Sequence, residues 1–152
     1  MRSKFLASTL AIVLGLATSV VSAIGFSDVV SAQTVEEKKK EFDQLLQQGD
    51  KQYKMGKFKL ALQSWQQALN LDHATKDRIA EAKVFSRLGI VYSSLEDYPK
   101  AIDYQQRSLA IARELKNRQG ENAAFYNLGD IYLSLGNYLK SIEYQENLAL
   151  LN

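Results

Sequence analysis

The only histidine in the chain, His73, stands beside Asp72. An imidazole next to a carboxylate is half of a proton-transfer arrangement. No serine, cysteine or second acid stands at motif spacing to complete it. The chain has no cysteine, so thiolate metal sites, thiol nucleophiles and disulfides are all excluded. A metal centre that needs two imidazoles is excluded as well. The glycines are single and suit packing and turns, with no phosphate-cradling loop among them. The acids fall where helix surfaces would carry them. His73 therefore reads as an exposed loop residue, and the chain as a non-enzyme that uses no metal and no cofactor.

Chemistry of recognition is better represented. With Phe85, Leu88, Gly89, Tyr92 and Leu95 facing a core, helical rotation puts Lys83, Arg87, Ile90 and Ser94 on the opposite face. The matching set forty residues later is Ala123, Asn127, Asp130 and Ser134, and the set forty residues earlier is Asp43, Gln47, Asp50 and Lys54. The charges of Asp43, Asp50 and Asp130 cancel those of Lys54, Lys83 and Arg87. A neutral, polar groove suits a peptide and argues against a polyanion. Arg87 either pairs with Asp50 or Asp130 across the groove or offers its guanidinium to a partner carboxylate. The Asn127 amide donates and accepts together, which matches a peptide unit.

Helices must position these residues, because no strand pattern is present. Thr34 and Glu37 read as a capping box opening a helix over about 35–55. Gly56 ends it. A second helix takes 58–71, followed by a loop over 72–76 that holds His73. A third runs over about 77–95. Asp97 caps a fourth, with Pro99 in its first turn, where a missing N–H is harmless; it ends near Lys116. The fifth runs from about 118 to 135 and the sixth from Tyr138 almost to the C-terminus.

The second half of this series says one thing twice. Residues 78–105 and 118–145 are identical at thirteen of twenty-eight positions. The echo includes Phe85 with Phe125, Leu88-Gly89 with Leu128-Gly129, Tyr92 with Tyr132, Tyr104 with Tyr144 and Gln105 with Gln145. Gly49, Gly56 and the pair Ala61 and Trp65 extend it, more loosely, into the first hairpin. A fixed period of this length means stacked units that bury their faces on one another. Gly89 and Gly129 are expected where two helices touch, with Ala101 and Ser141 opposite. Tyr92 and Tyr132 are expected to fill the seams between hairpins, and Trp65 the alanine–aromatic slot.

The pattern aromatic-x-x-Leu-Gly-x-x-Tyr, followed by Gly-Asn-Tyr and then Ala-Ile-x-Tyr, resembles the tetratricopeptide repeat. The forty-residue period resembles the longer-looped variety of kinesin light chains and of exported bacterial and cyanobacterial repeat proteins. The resemblance covers about 42–150. It implies an all-α solenoid of antiparallel helix hairpins, a right-handed superhelix of about three repeats at 42–75, 82–115 and 122–152. It also implies that an asparagine at the position of Asn127 bonds a bound peptide's backbone. Arg87 holds that place in the second repeat and breaks any asparagine ladder. Ser86, Ile90 and Asp130 stand where a clamp for a chaperone's C-terminal carboxylate would need other residues, which excludes that partner.

Residues 1–32 read as a signal peptide rather than as fold: Arg2 and Lys4, an uncharged run over 5–21, then small-residue sites ending at Ala23 and Ala32. Cleavage is expected after Ala32, making 33–152 an exported, periplasmic or secreted domain. The alternative is an uncleaved N-terminal anchor, although the run of seventeen falls short of the about 20 residues of a span. Without Arg2, Lys4 and Asp28, seventeen basic and sixteen acidic residues remain, which gives no case for nucleic acid. At the other end Leu148, Leu150 and Leu151 are expected to be exposed, with no polar cap. Self-association there, a docked partner, or truncation of a longer protein would each explain it. The function that follows is a non-catalytic scaffold holding a peptide or protein in the groove or at the C-terminal end; the alternative is an adaptor fragment of a larger secreted enzyme of the caspase-like peptidase type.

Overall fold

The computed structural model describes residues 26–75 and 77–151, and side-chain surroundings for 34–71 and 77–150. The described residues form α1 (Phe26–Lys54), α2 (Phe58–Thr75), α3 (Arg78–Ser94), α4 (Tyr98–Glu114), α5 (Arg118–Ser134) and α6 (Tyr138–Leu151). No strand is present among them. The chain divides into two units, residues 1–37 and 38–152. In the first, the described residues from Phe26 onward are helical, and 34–37 are exposed. Residues 1–25, with the small-residue site ending at Ala23, lie outside the described residues, whereas the site ending at Ala32 falls within the helical backbone of α1.

Two boundaries differ from expectation. α1 starts at Phe26, so Thr34 lies inside a helix and not at its N-cap. No glycine or proline interrupts 26–48, so the helix continues through the polar stretch that was read as its beginning. The backbone of Asp72–Thr75 continues α2, which leaves a shorter turn than the loop expected around His73; the His73 side chain lies outside the described residues.

The other starts follow their caps. The Asp77 carboxylate accepts from Ile79 N and Ala80 N at 3.0 and 3.1 Å. Asp97 caps α4 and Asn117 caps α5 in the same way. Each hairpin turn closes with one repeated bond: Lys57 N to Gln52 O, Asp97 N to Tyr92 O and Asn137 N to Tyr132 O, all 2.9 Å. A left-handed residue sits in each turn: Gly56, Glu96 and Gly136, with φ of 71, 61 and 70°.

Within 38–152, α1 with α2, α3 with α4, and α5 with α6 form three hairpins. A first core contains Phe42, Leu46, Ala61, Trp65, Val84, Phe85 and Leu88. A second contains Leu109, Ala124, Phe125, Leu128 and Tyr132, with Ile102 and Leu148 packed on it. Leu148 is thus partly covered and not exposed as expected. Unbroken α6 carries it into the place that Ser108 takes forty residues earlier.

The tyrosine stripe packs within hairpins, not in the seams between them. Tyr92 stacks on Tyr104 with ring centroids 5.5 Å apart and planes at 6°. Tyr132 stacks on Tyr144 at 5.5 Å and 8°. Burial pushes the Tyr104 and Tyr144 phenols above their ordinary pKa, and the neighbouring tyrosine adds to the effect. Lys100 and Lys140 cover the outer faces of Tyr92 and Tyr132, 5.1 and 4.8 Å from the centroids.

Candidate functional site: the face of α1, α3 and α5

The first helices of the three hairpins lie side by side. Asp50 and Tyr53 of α1 bond to Arg87 and Ser94 of α3, and α3 packs directly on α5. This α1, α3 and α5 layer carries Lys83, Arg87, Ile90, Asn127 and Asp130, the residues that helical rotation groups on one face.

Arg87 is committed within the protein. Its Nε and Nη2 donate to the two carboxylate oxygens of Asp50 at 2.6 and 2.9 Å, a two-point contact that matches the planar fork. Of the alternatives open in the sequence, this is the internal pair, and its acid is Asp50, not Asp130. Asp130 is exposed and forms no ion pair with a described residue, and neither does Lys83. Asp43 and Lys54 form none either, so the groove keeps two uncompensated cations and two uncompensated anions around one neutralised pair.

The glycines of the inner helices do something other than let helices touch. A Cβ on Gly89 would lie 2.5 Å from Gln105 Nε2 and 2.8 Å from Gln105 Cγ. The missing side chain makes room for this glutamine to reach in from α4. Its Nε2 donates to Ser86 O at 2.9 Å, and its Oε1 accepts from Asn127 Nδ2 at 3.3 Å. Gly49 faces Trp65 in the same manner, and Trp65 Nε1 donates to Leu46 O at 3.3 Å. Trp65 thus stands in the glutamine's register, not in an alanine–aromatic slot. Gly129 departs from expectation: its nearest neighbour would be 3.7 Å from an added Cβ, because Gln145 stays exposed.

Two cavities open on this face. The larger, about 310 Å³, is walled by Ile79, Ala82, Lys83 and Arg87 of α3, Ala112 and Leu115 at the end of α4, and Asn117, Gln119 and Ala123 around the start of α5. The smaller, about 150 Å³, is lined by Tyr53, Ile90, Ser93, Ser94, Gln105, Asn127, Asp130 and Ile131. Five of the six proposed partner-binding residues line one cavity or the other. The sixth, Ser134, is exposed outside both, and its Oγ donates to Asp130 O at 3.0 Å. Sequence reasoning missed Gln105 because it sought groove residues on first helices only. Its one signal was the identity of Gln105 and Gln145 in the repeat comparison.

Among the described residues no group of three or more His, Asp or Glu side chains comes together as metal ligands. No described helix is long and apolar enough to cross a membrane.

Comparison with known proteins agrees with this geometry. Family models of the tetratricopeptide repeat match residues 45–114 and 123–152. Among solved structures, the chain is similar to the crystal structure of the TPR domain of Arabidopsis FLU, with a TM-score of 0.70 and 26% identity, over 74% of this chain and 95% of that one. A comparison with curated proteins gives no match. The hairpins, their forty-residue period and these matches show that the chain is built of tetratricopeptide repeats.

Proposed function

We propose that the chain is a non-catalytic interaction protein that holds an extended peptide segment of a protein partner along the face of α1, α3 and α5. Tetratricopeptide-repeat domains generally mediate protein–protein interaction. The observation that supports the groove is the pairing of two cavities on one face with a half-buried amide, Asn127, already held in place by Gln105. Such an amide meets a peptide unit with little further ordering cost. A random-peptide display library panned on the chain, followed by anisotropy titration of a recovered peptide, tests the reading. Asn127→Ala should weaken that peptide about tenfold, the loss of one or two hydrogen bonds. Equal affinity for the variant would move the site elsewhere.

A second surface belongs to the same proposal. Leu62 and Ile102 pack on the cores beside them, whereas Ile142, at the same register in α6, is 50% exposed. Leu139 and Leu150 are 83 and 84% exposed. Self-association or a docked partner would cover this face. Light scattering across a concentration series decides for or against self-association: a mass that stays at one chain rejects it.

The N-terminal segment supports export of the protein, with cleavage after Ala32. Mass spectrometry of the protein recovered from the cell envelope or medium would show an N-terminus at Gln33.

A further inference from the structure

The small cavity between α1, α3 and α5 has a polarity of its own, and that polarity is fixed by a chain of hydrogen bonds. Ser86 O can only accept. Gln105 must therefore turn its Nε2 toward it at 2.9 Å and its Oε1 toward Asn127. Asn127 must in turn spend one N–H on that oxygen at 3.3 Å, which leaves its Oδ1 as an acceptor and its second N–H as a donor. On the opposite wall, Ser94 Oγ donates to Ile90 O at 3.1 Å. The Tyr53 hydroxyl, 3.0 Å from Ser94 Oγ, is then the donor of that pair and has only lone pairs left. Asp130 adds a carboxylate with no ion-pair partner among the described residues. No lysine or arginine lines the cavity. Ile90 and Ile131 supply apolar wall.

We infer that this cavity receives a basic side chain, lysine or arginine, of the bound peptide. The inference rests on the groove reading above. A cation would meet the Asp130 carboxylate, the Asn127 Oδ1 and the Tyr53 oxygen, while its aliphatic stem lay against Ile90 and Ile131. A volume of about 150 Å³ suits one side chain and falls below the roughly 300–1,000 Å³ of small-molecule sites. An acidic side chain would find repulsion from Asp130 and mostly acceptors.

The test pans a random-heptapeptide display library in parallel on the chain, on Asp130→Asn and on Lys59→Gln, a change on α2 away from both cavities, with circular-dichroism melts to confirm that both exposed substitutions leave the fold intact. The expected result is enrichment of lysine or arginine at one peptide position on the chain and on Lys59→Gln. On Asp130→Asn peptides should still be recovered, without that preference, and a synthetic basic peptide should bind about tenfold more weakly. Peptides with no basic position, or a preference that Asp130→Asn leaves unchanged, would overturn the inference while the groove reading stands. Failure of all three proteins to enrich any peptide would overturn both.

Discussion

Gln105 stands in the second hairpin where Trp65 stands in the first: Trp65 Nε1 donates to Leu46 O at 3.3 Å and Gln105 Nε2 to Ser86 O at 2.9 Å, each over a glycine of the facing helix. Both carbonyls belong to residues forty apart. The donor position is kept while the donor changes from an indole, which ends in the core, to an amide, which passes a hydrogen bond on to the groove. Removal of the two ends of this relay should have unequal effects. Gln105→Ala leaves Ser86 O unpaired and a void beside Gly89, at a cost of about 2–4 kcal/mol. Asn127→Ala should cost about 1 kcal/mol or less, since the residue is only half-buried and its bond is long. Urea unfolding of both variants measures the difference. An Asn127→Ala cost as large as that of Gln105→Ala would make Asn127 a packing residue and not a groove residue.

Gly89 and Gly129, which both face second helices, should respond differently to one methyl group. At Gly89 a Cβ would displace Gln105 from both of its bonds, so Gly89→Ala should destabilise by about 1–3 kcal/mol. At Gly129 the nearest atom would be Ser141 O at 3.7 Å, an ordinary contact. Gly129→Ala should therefore be neutral or stabilise by up to about 1 kcal/mol through the lower entropy of alanine. Thermal melts of the two variants settle this; a loss at Gly129 equal to that at Gly89 would contradict the geometry.

The contrast between those glycines also shows what the sequence makes legible. The helices, their turns and their pairing could be read because apolar spacing, Asp97, Pro99, Gly56 and Gly136 each act locally. Rotation about α3 and α5 groups Lys83, Arg87, Ile90, Asn127 and Asp130, which line the two cavities. The sequence hid the reach of Gln105 through the gap at Gly89, because it depends on a side chain from another helix. It also hid the choice of Arg87 between two acids, which only the distance between α1 and α3 decides. The start of α1 was misread because Thr34 carries a capping signal that nothing upstream enforces.

Glu96 repeats the backbone of Gly56 and Gly136 without being glycine, at φ 61°. A side chain in that region costs about 1–2 kcal/mol, while glycine's extra freedom when unfolded costs about 0.5–1. Glu96→Gly should thus raise stability by about 0.5–1 kcal/mol, read as a higher denaturation midpoint. A lower midpoint would show that the Glu96 side chain contributes a contact of its own.

The Asp97 cap makes a pH prediction. The Lys100 ammonium bonded to it, with help from the Lys100 backbone N–H, holds its carboxyl below the ordinary carboxylate range. A folded pKa depressed below the unfolded one adds stability above the unfolded value, and that stability is lost as pH falls through the folded value. A carbon-detected NMR titration should place Asp97 below the ordinary value of about 3.9, and Lys100→Gln should move it back upward. An Asp97 that titrates identically in both proteins would remove Lys100 as the cause.

The central claim, that a peptide lies along α1, α3 and α5, is tested most directly by backbone amide shift mapping with a display-selected peptide. Shifts should concentrate at Asp50, Arg87, Ile90, Asn127 and Asp130 and spare outer positions such as Gln106 and Glu143. Shifts that cluster instead at Leu139, Ile142 and Leu150 would place the partner on α6 and contradict the groove.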